Sequence, residues 1–118
     1  MIEELITRAF TRRDQAHLAH WATKSYSEHM ALDEFYNDVI DAIDSITENY
    51  QAYFGLVPSV SISKYETPSD ILSLLKEDVK WINKNRSKIA QDVPSIENLI
   101  DELTSVYTKA IYKLTNLK

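Results

Sequence analysis

"GLVPSVSISKYET", residues 55–67, separates two blocks of amphipathic helix, and its reading decides the architecture. At thirteen residues it exceeds the roughly 2–8 residues that usually join neighbouring helices in a bundle. A helix of about 25 residues is roughly 38 Å long, and a segment of this length, fully extended, reaches roughly 43–47 Å. The segment is therefore just long enough to cross a bundle from one end to the other. Val60 and Ile62 alternate with Ser59, Ser61 and Ser63, which suits an extended strap with one apolar edge. A simple up-and-down bundle with a loose loop is the competing reading.

The flanks supply the helices. Ile2, Leu5, Ile6, Ala9, Phe10, Ala16 and His20 fall on one side at helical spacing and predict a first helix from residue 2 to about 23. "SYSE" then offers Ser25 as N-cap and Glu28 as its capping-box partner, so a second helix starts after a very short turn and forms an antiparallel hairpin with the first. Its stripe runs through Leu32, Phe35, Tyr36, Val39, Ile43, Ile46, Tyr50 and Phe54, and Gly55 ends it. Beyond the strap, Thr67-Pro68 marks the start of a third helix that buries Ile71, Leu72, Leu75, Val79, Ile82 and Ile89. A fourth follows "QDVPS", with Ile96, Leu99, Ile100, Leu103, Val106, Ala110, Ile111, Leu114 and Leu117. The expectation is an all-α single domain over residues 1–118, a four-helix bundle of two antiparallel hairpins joined by an extended crossover.

Composition narrows the chemistry. One glycine rules out a glycine-rich phosphate loop, and the absence of cysteine removes disulfides, thiolate metal sites and cysteine nucleophiles. Any metal site must use His, Asp and Glu. A formal net charge of −5 argues against general phosphate-backbone binding, so DNA is not an expected partner. "MIEELITRAF" lacks the basic start and apolar run of a signal peptide, and no apolar stretch approaches the roughly 20 residues that span a bilayer. A soluble protein without a membrane partner is expected.

The second helix raises the functional question. Seven acidic residues follow Lys24 by position 48, and no Lys or Arg appears until Lys64. Like charges at i+4 destabilise a helix by roughly 0.2–0.5 kcal/mol each, so a solvated acidic face is an incomplete explanation, and a cation or basic partner would relieve the repulsion. With His29 at 0°, Asp33 falls at about 40°, Asp44 at about 60° and Glu48 at about 100°, all on one face. Asp41, Glu34 and Asp38 continue the stripe toward about 180°. Lys76, Lys80, Lys84 and Lys88 form an i+4 series on the third helix, a candidate intramolecular or intersubunit counterpart.

The inferred turn brings His20 beside the start of the second helix, where it can meet His29 and Asp33. Asp44 and Glu48 lie roughly 22 and 28 Å along the helix from His29, out of reach within one chain. Two chains solve this. If the second helix packs antiparallel on its own copy across a two-fold axis, His20, His29 and Asp33 of one face Asp44 and Glu48 of the other, giving two equivalent sites. A nitrogen-plus-carboxylate set without sulfur suits iron, and also zinc or manganese.

At these residues the sequence resembles the Dps or mini-ferritin branch of the ferritin-like superfamily. His20-Trp21 matches its His-Trp start, and His29, Asp33, Asp44 and Glu48 match the rest with their spacings intact. The resemblance covers residues 15–54 well and "LIDELTSVYTKAIYKL" loosely. It implies a ferritin-like fold, a homo-oligomer, an iron site between two-fold-related subunits, Fe(II) oxidation by peroxide or oxygen, and Trp21 as an electron-donating neighbour. The two histidines are three residues closer than is typical of that family, the crossover has no room for its short helix, and no Lys-rich tail is present. This looks like a shortened relative, similar to small ferritin-like proteins of tailed phages, which implies the host cytoplasm.

His17, one turn before His20 at the edge of the apolar stripe, reads as a structural residue or one that supports the site from behind. Trp81, Tyr107 and Tyr112 read as core or interface aromatics. From a different class, the alternative is a non-enzymatic helical interaction or phage structural protein that keeps the fold without ferroxidase activity.

Overall fold

The computed structural model describes all residues from Met1 to Lys118. Four helices and no strands are present: α1 (Ile2–Ala22), α2 (Tyr26–Phe54), α3 (Ile71–Ala90) and α4 (Pro94–Asn116). α1 packs on α2, α2 on α4, α4 on α3 and α3 on α1, a square in which α2 and α3 hold opposite corners. Tyr50 and Gln91 hydrogen-bond at 3.4 Å, which puts the C-terminal ends of α2 and α3 together. Glu34 with Lys113 and Tyr53 with Ser95 show α4 antiparallel to α2. α2 and α3 therefore run parallel, and the chain from Gly55 to Asp70 travels the length of a body whose long axis is 44 Å. The crossover decides in favour of the two-hairpin bundle.

The strap is tied at several points. Val57 and Val60 pack against the core, the Val57 amide donates to Gln51 Oε1 at 3.0 Å, Tyr65 Oη donates to Asp14, and Gln15 Nε2 donates to the Glu66 carbonyl at 3.5 Å. Ile62 is exposed, so the apolar edge is shorter than the alternation predicts.

Local chemistry explains the ends. Ser25 Oγ accepts from the Glu28 amide at 3.3 Å as expected, but the Ser25 amide donates to Thr23 Oγ1 at 3.1 Å, so Thr23 fills the half of the box assigned to Glu28. α3 begins at Ile71, later than Thr67-Pro68 predicts, because Asp70 is the cap: its carboxylate accepts from the Ser73 amide at 3.1 Å and from Ser73 Oγ at 2.7 Å. A charged oxygen at a helix N-terminus gains from the helix dipole as well as from the bond, which favours Asp over Thr here.

Gly55 closes α2 at φ 92°, ψ 173°, a region open essentially to glycine alone. A Cβ there would meet nothing within 4 Å. Gly55→Ala is thus a test of backbone strain alone, and urea unfolding should register a loss of about 1–3 kcal/mol. An unchanged midpoint would mean that the crossover leaves the helix by another route.

The core has a polar seam. In α3, Ile71, Leu75, Asp78, Ile82, Asn85 and Ile89 are all buried, a strict alternation of four and three that places Asp78 and Asn85 at core positions. In α1, Arg12 occupies the equivalent place between buried Ala9 and Ala16 and is 12% exposed. Asp78 Oδ1 accepts from Arg8 Nη1 and Arg12 Nη2, each at 3.0 Å, and Oδ2 accepts from Tyr107 Oη at 2.7 Å. Arg12 Nε lies 2.9 Å from Oδ2 without hydrogen-bond alignment. Phe35 of α2 meets Tyr107 edge-on, with ring centroids 5.0 Å apart. Phe35, Tyr107, Asp78 and the two arginines link α2, α4, α3 and α1 in one chain of contacts.

Candidate metal centre

The turn at residues 23–25 folds the end of α1 against the start of α2 and brings two histidines face to face. The rings of His20 and His29 stack with centroids 3.6 Å apart and planes 20° from parallel. His20 Nδ1 lies 2.7 Å from the His29 carbonyl oxygen, and His29 Nδ1 lies 2.9 Å from the His20 carbonyl oxygen. A carbonyl oxygen only accepts, so each Nδ1 is the donor and each neutral imidazole keeps its lone pair on Nε2. Neither Nε2 has a protein partner and neither is fully buried. Sequence reasoning placed the two histidines together but had no means of finding their backbone partners.

Behind the pair lies an aromatic stack. His17 lies parallel to Tyr36, centroids 4.1 Å apart, and 4.5 Å from the Trp21 ring. Tyr36 Oη donates to Asp33 Oδ1 at 2.7 Å, and Arg13 lies 5.6 Å from the Tyr36 ring centroid. That bond to Asp33, assisted by burial, raises the Tyr36 phenol above its ordinary value. His17 therefore reaches Asp33 only through Tyr36. Trp21 is 68% exposed and touches His17, not the His20–His29 pair. Beside them a cavity of about 140 Å³ is lined by Asp14, His17, Leu18, Trp21 and Tyr65. Tyr36 was read from sequence as core alone; its place one turn after Asp33 was the available signal.

Asp33 does not join the histidines in a three-residue cluster, and no group of three His, Asp or Glu side chains in one chain is placed to hold a metal ion. Asp33 Oδ1 is occupied by Tyr36, whereas Asp44 and Glu48 are exposed farther along α2 without an ion-pair partner. One chain thus carries the His20–His29 pair at one end of α2 and two exposed carboxylates toward the other.

No helix is long and apolar enough to cross a membrane. No solved structure matches this chain. It is similar to the "Uncharacterized 14.6 kDa protein in mobD-ri intergenic region" of Enterobacteria phage T4, at 29% identity over 101 residues, 84% of this chain and 76% of that protein. Residues 20–114, a span that begins at the first histidine of the pair and takes in all five candidate ligands, match one described family, and the chain belongs to it: the Family of unknown function (DUF5856).

Proposed function

We propose that this protein is a Dps-like mini-ferritin that binds Fe(II) between two-fold-related copies and oxidises it to Fe(III), each ion giving one electron to peroxide or oxygen. His20, His29 and Asp33 of one copy and Asp44 and Glu48 of the other are the ligands. The observation that carries the reading is the pair of Nδ1–H bonds to backbone carbonyls. Metal-binding histidines ordinarily fix their tautomer in this way and raise the basicity of the other nitrogen. Tyr36 orients Asp33 by donating to Oδ1, which leaves Oδ2 free. The carboxylates favour the ferric product, because added positive charge gains more from an anionic shell. Zinc or manganese would be held by the same donors. A phage relative supports the host cytoplasm as the place of action.

The alternative, a helical interaction or phage structural protein, draws on the same histidines. Their mutual stacking and reciprocal bonds also clasp the α1–α2 turn, which is use enough without a metal. Titration separates the two. Fe(II) or Zn(II) should bind at about one or two ions per chain, with anomalous density between His29 and Asp33 of one subunit and Asp44 and Glu48 of its partner. Glu48→Gln keeps size and removes a charge from an exposed position, so it should weaken binding and slow Fe(II) oxidation while the bundle stays folded. Wild type and Glu48→Gln behaving alike with iron would sink the ferroxidase reading.

A further inference from the structure

The four lysines of α3, Lys76, Lys80, Lys84 and Lys88, are all exposed, and none forms an ion pair. Their i+4 spacing lines them along roughly 18 Å of helix, each repelling the next. Asp38 and Asp41 on α2 are exposed and equally unpaired. Within one chain the two series cannot meet. α2 and α3 occupy opposite corners of the square, so their outer faces look away from each other. Each free monomer therefore carries a basic ridge and an acidic ridge on opposite sides, both internally repulsive.

We infer that the α3 lysine ridge docks on the α2 acidic flank of a second copy, a head-to-tail contact distinct from the two-fold metal interface. Complementary charge selects the occupant: the chain's own α2 supplies exposed acids that no ion pair occupies, and the net charge of −5 opposes a polyanion. On the α2 wheel Asp38, at about 180°, stands about 80° from Glu48 and clears the metal face, whereas Asp41, at about 120°, borders it. Asp38 also lines the α2–α4 groove together with Glu34, Glu102, Lys109 and Lys113, where Lys113 is engaged by Glu34 and Lys109 forms no ion pair. A heterologous contact of this kind propagates until it closes into a ring or runs on as a filament.

The test uses full-length protein in EDTA, so that no metal bridge contributes. Light scattering should find assemblies at about 25 mM salt that weaken at least about tenfold by about 500 mM. Lys80→Glu with Lys84→Glu should abolish them, and so should Asp38→Lys with Asp41→Lys. Mixing the two double variants should restore assembly, although both stay net negative, because each then offers the ridge that the other has lost. All four positions are exposed, and circular dichroism checks that the helices persist. The neutral pair Lys80→Gln with Lys84→Gln should fall between wild type and reversal. A monomer at every salt, an assembly indifferent to salt or to either reversal, or a mixture that fails to associate overturns the proposal. Plasmid retardation by wild type that is lost in the Lys80→Glu, Lys84→Glu variant also overturns it, by giving the ridge to phosphate. Loss of iron binding with this pattern intact would remove the metal reading alone.

Discussion

Asp78→Ala should lower unfolding stability by about 3–5 kcal/mol, the range found when one member of a buried ion pair is removed. Asp78 is 0% exposed and is the sole acceptor joining Arg8, Arg12 and Tyr107. Its loss leaves the Arg12 guanidinium, 12% exposed, facing a void, and strands the Tyr107 hydroxyl in the core. Those uncompensated groups, more than the lost attraction, set the size of the effect. Burial pushes the Asp78 carboxyl above its ordinary value, against the opposing pull of Arg12, Tyr107 and Arg8. The sign follows from linkage. A carboxyl that binds its proton more tightly in the folded state stabilises most below the unfolded value, and that contribution fades as pH rises through the folded one. Asp78 therefore resists acid unfolding. Chemical denaturation of wild type and Asp78→Ala from pH 3 to pH 7 should show the mutational penalty at every pH, with wild type losing this favourable increment across the lower part of that range. A loss under about 1 kcal/mol would mean that the arginines find other partners.

That knot shows where sequence reading fell short, and why. The helices, the short α1–α2 turn and the lengthwise strap follow from apolar spacing, a Ser cap, one glycine and a length argument, all local or one-dimensional. Asp78 and Asn85 sit at core spacing on α3, and Arg12 does so on α1, yet a pattern search for apolar residues passes over charged ones. Opposite charges at core positions of two helices were the legible clue. Phe10 errs in the other direction: it fits the α1 stripe but is 39% exposed, and Arg12 continues the buried face between Ala9 and Ala16 in its place. At the candidate site, the proximity of His20 and His29 was legible because the turn is short. Their stacking and their carbonyl partners were not, since backbone acceptors have no sequence signature.

Phe35→Ala should cost about 3–5 kcal/mol for the cavity alone, with about 0.5–1.5 kcal/mol more from the lost aromatic pair. Phe35 is 1% exposed and its ring stands at 81° to Tyr107, so the truncated site is walled by a rigid bundle that collapses little. The consequence extends beyond stability. Phe35 and Tyr36 are neighbours on α2 and point different ways: the first locks α2 onto α4 through Tyr107, and the second turns toward α1, where it stacks on His17 and holds Asp33. Rotation of α2 about its axis is fixed by these two anchors together. That rotation sets the direction in which the α2 face carrying His29, Asp33, Asp44 and Glu48 points. A volume-conserving Phe35→Leu should lose far less stability than Phe35→Ala and leave Zn(II) affinity near wild type. On the proposed metal reading, Phe35→Ala, measured at a temperature where it remains folded, should bind Zn(II) at least about tenfold more weakly, since a turned α2 misdirects the proposed ligands. Equal affinity in both variants would show that the face is aligned by Tyr36 alone, and Tyr36→Phe, which keeps the stack and removes the bond to Asp33, would then carry the larger metal defect.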